Sequence, residues 1–358
     1  MRKKNNELDF SNQIIFVGID VHKKQWSITI NTGGQQIKTF SMNPEPEELN
    51  KYLRKNYPGG KYRSVYEAGF CGYWIDRQLQ SLGIENIVVN PGDVPASNKE
   101  KSRKTDRIDS RKLARELSGD NLTGIYIPTK EQEAARTLSR LRIQLTKDQT
   151  RVKNRIKSLL NFIGVHLPEN IEVKHWSGRF IKYLDSLDFE QEELKQTLEQ
   201  QLKQLTALRE QLSNVVKLLR NMINQDEEKQ KTIAQLMTVP GIGFITAVSL
   251  YTEIMDINRF RSFDHLSSYV GLAPSTYSSG QKELVIGLSQ RQNTNLRNIL
   301  IEASWIASRR DPVLTMTFGR LTRRMKKQEA IIRISKKLLR RIMHVWKQRE
   351  DYVLAVVE

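Results

Sequence analysis

The chain is 358 residues long, 38% hydrophobic and 27% charged, which suits a folded protein of two or three domains. Its 58 Lys and Arg outnumber 40 Asp and Glu and leave a net charge of +18, a surplus that favours a polyanionic partner. A single cysteine, Cys71, excludes a disulfide framework and a cysteine-based zinc site; five scattered histidines lack the spacing of a ligand pair, and no apolar run approaches the roughly 18 residues of a membrane span.

Residues 1–12 are polar and expected to be loose, with no apolar stretch of the kind that makes a signal peptide, so a cytoplasmic protein is expected. An apolar run from Ile14 to Ile19 precedes the alternating Trp26-Ser27-Ile28-Thr29-Ile30, a turn at Gly33-Gly34 and a third β-prone piece, which predicts a three-stranded meander. PEPEELNKYLRKNY reads as a helix with acids in its first turn and bases near its end. YRSVYEAG reads as a strand, YWIDRQLQSLG as a helix stopped by Gly83, ENIVVNP as a strand, DSRKLARELSG as a helix and GIYIP as a last strand. Three strands followed by alternating helices and strands predict an α/β layer over 13–128.

From 129 to 231 the periodicity turns helical. RTLSRLRIQLTKDQTRVKNRIKSLLNFIG predicts one long amphipathic helix, with eight basic residues between Arg136 and Lys157 opposed only by Asp148. Further on, Leu198, Leu205, Leu212 and Leu219 form one heptad series, and Leu194, Leu208, Val215 and Met222 a second, broken by Gln201. An intermolecular coiled coil and an intramolecular hairpin fit this pattern equally. The connecting segment HLPENIEVKHWSGRF carries Trp176 among basic residues, a candidate nucleic-acid contact. Residues 232–320 open with PGIG before an apolar helix, where backbone N–H groups could meet a phosphate or simply make a tight turn. YVGLAPSTYSSGQKELVIGLSQ reads as a Gly/Ser-rich turn region before another helix, and 321–358 as a basic helical tail. Between Arg309 and Arg349 fourteen Lys and Arg face two acids, so the positive charge is concentrated here.

Four carboxylates stand out. Asp20 closes the first buried strand and Glu67 closes YRSVYEAG; an acid at the edge of an apolar core is costly unless it binds something. Asp106 and Asp109 are three residues apart and share one face of a helix. Each alone suits a cap or a surface ion pair. Together they can hold one or two Mg²⁺ ions, hard cations that take oxygen ligands and stabilise a phosphodiester displacement. Lys101, Arg103, Lys104, Arg107, Arg111 and Lys112 surround the aspartates, and Arg323, Arg324, Lys326 and Lys327 form a second cluster; both are candidate phosphate-backbone contacts.

GIDVHK, YEAG and KTDRIDSRKLA resemble the acidic DEDD tetrad of the transposases of the insertion-sequence 110 family, relatives of Piv-type DNA invertases. PGIGFITA, LSSYVGLAPSTYSSG and NLRNILIEAS resemble that family's C-terminal transposase domain, and the motifs run in the family's order over nearly the whole chain. With the helical reading of the middle, the resemblance implies an RNase-H-like (RuvC-like) α/β N-terminal domain, a long helical coiled-coil middle and a mostly α C-terminal domain. It implies that Asp20, Glu67, Asp106 and Asp109 are the metal-holding tetrad. It also implies that a serine before a glycine, Ser279 or the adjacent Ser278, is the nucleophile of a covalent phosphoserine link to DNA. The spacing of that stretch alone reads as a turn of small polar residues, and Tyr277 is another hydroxyl within it. Further implications are a structured guide RNA, a homodimer or homotetramer, and association with the bacterial nucleoid.

Three readings follow. The chain is a Mg²⁺-dependent recombinase of an insertion sequence acting through a serine–DNA intermediate. Alternatively it is a junction-type nuclease using only the acidic tetrad, or a non-catalytic nucleic-acid-binding protein.

Overall fold

The structure, a computed structural model, describes residues 9–95, 106–165, 167, 176–279, 282–288 and 292–354, with the backbone alone over 274–279 and 282–288. The chain divides into two compact units, Met1–Ile127 and Pro128–Glu358.

The first unit is built on a five-stranded mixed sheet. Its strands are β1 (Ile14–Val21), β2 (Trp26–Thr32), β3 (Gln35–Met42), β4 (Lys61–Glu67) and β5 (Glu85–Val89), in the order β3-β2-β1-β4-β5. The meander β1-β2-β3 is antiparallel as its turns predict, whereas β4 and β5 run parallel to β1. This arrangement is consistent with an RNase-H-like start.

Alternation along the strands sends Ile15, Val17, Ile19, Trp26, Ile28 and Ile30 to one face, against Leu49 and Leu53 of α1 (Pro46–Asn56) and Ile75 and Leu79 of α2 (Trp74–Ser81). Each such buried side chain stabilises the unit by about 1.5–3 kcal/mol. The polar positions of WSITINT would face water in a half-exposed sheet, yet all seven residues of β2 are buried. The reason is α3 (Asp106–Ser118), which covers that face. Ser110 of α3 meets Ser27 at 3.1 Å and Thr29 at 2.9 Å, so the hydroxyls satisfy one another beneath the helix. The helix can approach because β1 has Gly18 there: a Cβ would stand 2.1 Å from the Ser110 carbonyl oxygen and 2.5 Å from the Ala114 nitrogen.

GIYIP is not a strand. Ile125 N–H donates to the Val88 carbonyl at 2.8 Å beside β5, but the segment forms no strand ladder there.

The second unit is mostly helical. A capping box at Thr129 and Gln132 starts α4 (Lys130–Phe162), which α5 (Gly178–Asp185) and α6 (Glu192–Asn224) follow. Val152, Ile156 and Leu160 of α4 pack with Leu198, Leu202 and Leu205 of α6, and Leu145 shares a core with Val215 and Leu219. Of the two heptad readings, the chain therefore forms an intramolecular hairpin. Trp176 belongs to this core: it is 4% exposed and packs edge-on to Phe180, so it is not a surface contact for nucleic acid.

The remaining helices are α7 (Glu227–Thr238), α8 (Phe244–Ile254), α9 (Phe263–Val270), α10 (Thr294–Arg310), α11 (Pro312–Thr322) and α12 (Lys327–Gln348). The PGIG turn between α7 and α8 lies on α10: Gly241 has φ +89°, and a Cβ would meet the Ala303 carbonyl oxygen at 2.4 Å. The stretch read as a turn region is an antiparallel pair, β6 (Pro274–Ser279) and β7 (Lys282–Leu288). The basic C-terminal helix α12 buries Ile331, Ile334, Leu338, Leu339 and Ile342 in the same core as α8 and α10. Among the described residues no helix is long and apolar enough to cross a membrane.

Candidate active site

Asp20 lies on the same face of β1 as Gly18, the face covered by α3. The parallel register pairs Ile19 with Tyr66, so Asp20 and Glu67 come one step further, at the C-terminal ends of neighbouring strands. Asp106 and Asp109 occupy the first turn of α3, where carboxylates are favoured by the helix dipole. The close seat of α3 on Gly18 brings its first turn to those strand ends.

The four carboxylates fall into two pairs, each bridged by a basic side chain. His22 Nε2 is 3.1 Å from Asp20 Oδ2 and 3.4 Å from Asp106 Oδ1. Lys112 Nζ is 3.3 Å from both Glu67 Oε1 and Asp109 Oδ1. Burial pushes the Asp20 carboxyl above its usual range; His22 opposes this, and the nearby Asp109 and Asp106 charges add to it. Burial works against the Lys112 charge, but Glu67 and Asp109 outweigh it and hold its pKa above the ordinary lysine value.

Ligand atoms of Asp20, His22 and Asp106 all lie within 4.8 Å of one another. Two carboxylates and an imidazole so placed fit a divalent cation. His22 was not singled out from the sequence, although its signal was there: it stands two residues after Asp20 and so returns to the same side of the chain. Lys112, expected in a phosphate-binding groove, is buried between the Glu67 and Asp109 carboxylates; its i, i+3 spacing from Asp109 is the matching signal.

The other expected contacts are distributed as follows. Arg107 and Arg111 are exposed, and Arg111 Nε donates to Thr39 Oγ1 at 3.3 Å. Lys101, Arg103 and Lys104 lie outside the described residues. Arg323, Arg324 and Lys326, in the turn after α11, and Lys327, which opens α12, are all exposed. Ser279 ends β6, opposite Lys282 on β7, with Ser278 opposite Glu283. It belongs to the second unit, whereas the four carboxylates belong to the first.

Known proteins align with both parts of the chain. Residues 17–165 match the DEDD transposase family of the IS110 type, and residues 233–318 match the transposase IS116/IS110/IS902 family. The transposase for insertion sequence element IS1533 of Leptospira borgpetersenii is 28% identical over 81% of this chain and 84% of its own length. The transposase for insertion sequence element IS1111A of Coxiella burnetii is 30% identical over 67% of this chain and 64% of its own. The pilin gene-inverting protein of Moraxella bovis is 29% identical over 90% of this chain and 93% of its own. Two matches that follow one another along the chain, one over the acidic residues and one over the helical second unit, place this protein in the IS116/IS110/IS902 family of transposases.

Proposed function

We propose that the protein is the transposase of a bacterial insertion sequence, a Mg²⁺-dependent recombinase that cuts and rejoins DNA through Ser279. The observation that carries the reading is the convergence of Asp20, His22 and Asp106 beside Glu67 and Asp109 at the strand ends of an RNase-H-like sheet. Mg²⁺ held there would supply Lewis-acid stabilisation of charge on a phosphodiester. Asp20, Asp106 and His22 are its proposed holders, with Glu67 and Asp109 completing the acidic set. Lys112 pairs with both Glu67 and Asp109 and so ties the two carboxylates to one another.

The proposed chemistry is a transesterification. Ser279 Oγ gives up its proton to a base and attacks phosphorus. The Oγ–P bond forms while the bond from phosphorus to one deoxyribose oxygen breaks, and that oxygen leaves as a hydroxyl. Attack by the free hydroxyl of another strand reverses the step and joins new partners, so the energy of the phosphodiester is conserved. This requires the acidic set and Ser279 to act on one DNA site, within one chain or across a homodimer or homotetramer. The net charge of +18 suits both DNA and a structured guide RNA as partners, with action in the cytoplasm at the nucleoid.

The test is recombination of element-end and target DNA by wild type, Asp106→Ala and Ser279→Ala, with sequencing of co-purifying RNA. Asp106→Ala is expected to lose cleavage, and Ser279→Ala to lose the protein–DNA adduct. Cleavage retained by Ser279→Ala would instead identify a nuclease working through the acidic set alone. Full activity in both variants would sink the mechanism, and purification free of RNA would remove the guide.

A further inference from the structure

Glu253 lies in the last turn of α8, is 1% exposed, and has no part in the chemistry above. Both its carboxylate oxygens are taken. Arg140 of α4 donates from Nε to Oε1 at 2.6 Å and from Nη2 to Oε2 at 2.8 Å. Oε2 also accepts from Asn293 Nδ2 at 2.7 Å. The Glu253 carbonyl accepts from the Tyr269 hydroxyl at 2.9 Å and from Arg136 Nη2 at 3.3 Å. A buried carboxylate with a bidentate guanidinium and a further amide donor is a strong, geometrically exacting junction.

What distinguishes the junction is where its partners sit in the chain. Tyr269, in the last turn of α9, precedes the β6–β7 hairpin, and Asn293, the N-cap of α10, follows it. The two ends are also tied to each other: Asn293 N–H donates to the Tyr269 carbonyl at 3.0 Å. Gly271 allows Gln292 to cross beside it, since a Cβ there would stand 2.3 Å from the Gln292 Cβ. Asn293 uses its other side-chain atom as well, accepting from Leu296 N–H at 3.1 Å to cap α10. The residues that flank the hairpin in the chain, Tyr269 before it and Asn293 after it, are therefore tied together, and that tie is bonded to Glu253. Through Arg140 the same carboxylate is bonded to α4, the first helix of the second unit, and Arg136 Nε stands 3.7 Å from its Oε2.

We propose that Glu253 is a positioning residue for strand transfer, fixing the base of the hairpin that carries Ser279 against helix α4 so that the hydroxyl is presented in one place. The inference rests on Ser279 as the nucleophile. The carboxylate acts through Asn293, whose backbone N–H holds the Tyr269 carbonyl, and touches no reacting atom. An amide at this position presents N–H groups toward Arg140 or Asn293, which are themselves donors, so Glu253→Gln keeps the volume and breaks the junction.

The experiment compares full-length wild type, Glu253→Gln, Arg140→Gln and Ser279→Ala on a duplex carrying the end of the encoding element. It reads covalent protein–DNA adduct on denaturing gels, duplex affinity, and amide hydrogen exchange. Arg140→Gln is the milder change, because the Arg140 side chain is 44% exposed. Both junction variants are expected to form adduct on the order of ten- to a hundred-fold more slowly, with duplex affinity kept within about twofold, as a displaced nucleophile requires. Exchange is expected to rise over 274–288 while α8, α10 and α12 stay protected. Unchanged hairpin exchange, an equal rise across the whole second unit, or a loosened hairpin with normal adduct formation would each overturn the proposal. Adduct retained by Ser279→Ala would fail the serine reading separately, leaving hydrogen exchange to decide whether Glu253 holds the hairpin.

Discussion

Asp20 shows what a partly buried carboxylate costs the fold. Its pKa is raised because burial disfavours the charged form, and the neighbouring Asp109 and Asp106 charges add to that. At neutral pH the folded state therefore bears a penalty that the unfolded chain does not. The penalty is relieved as pH falls through the raised folded-state pKa and is gone below the ordinary carboxylate value, where both states are protonated. Asp20→Asn removes the charge and leaves an oxygen that His22 can still meet. In buffer free of divalent cations the variant is expected to melt a few degrees above wild type at pH 7, with the gap closing toward pH 3. Thermal unfolding across that range checks it; a variant less stable than wild type at pH 7 would show that the His22 contact outweighs burial. Lys112 has the opposite character: it is a buried cation retained because Glu67 and Asp109 both need it.

At the scale of elements, the site depends on one helix lying unusually close to one strand. Gly18, Ser27, Thr29, Ser110 and Ala114 are small enough to bring α3 down on β1 and β2, and hydroxyl pairs satisfy the polar atoms that this buries. Gly18→Ala places a methyl group against the α3 backbone, which cannot rotate away as a side chain would. The expected cost is about 1–3 kcal/mol of stability from overpacking. The shift of α3 carries Asp106 and Asp109 with it, so DNA cleavage is expected to fall on the order of 100-fold. Circular dichroism and cleavage assays together check this, since a folded protein with unimpaired cleavage would mean that the close approach is dispensable. The helical hairpin follows another rule. Its heptads close on each other within the chain because α4 offers Val152, Ile156 and Leu160 at the matching places, and Trp176 and Phe180 fill the far end.

Over the whole molecule the dominant feature is charge. Fourteen of the basic residues lie between Arg309 and Arg349, yet α12 also supplies one wall of the second unit's core; most of its cations are exposed, while Arg341 is turned to the buried Asp311. Arg323, Arg324, Lys326 and Lys327 gather on the exposed turn where α12 begins. If these cations neutralise phosphates, the logarithm of DNA affinity falls with the logarithm of salt concentration, by about 0.9 per phosphate contacted. The double variant Arg323→Gln, Arg324→Gln is expected to make that slope shallower by about 1.8, uniformly across DNA sequences. Filter binding between low and physiological salt measures it, and an unchanged slope would take these residues out of the interface.

The sequence by itself was enough for the strand meander, the long helices, the DEDD spacing and the family, because each is written in local periodicity or in short motifs. It also contained the four carboxylates, which an apolar strand end and an i, i+3 pair make visible. Of the partners of those carboxylates it marked only the local halves, His22 beside Asp20 and Lys112 one turn from Asp109. The distant halves, His22 with Asp106 and Lys112 with Glu67, formed only when β1, β4 and α3 were brought together, and a residue's contacts across a sheet face leave no mark on its own neighbours in the chain. The fate of ambiguous segments was decided in the same way. WSITINT alternates like a half-exposed strand and is buried because a helix covers its polar face; GIYIP has strand composition and lacks a ladder to join; Trp176 sits among basic residues and packs inward. Local propensity determined what each segment could be, and the burial available from distant segments decided what it became.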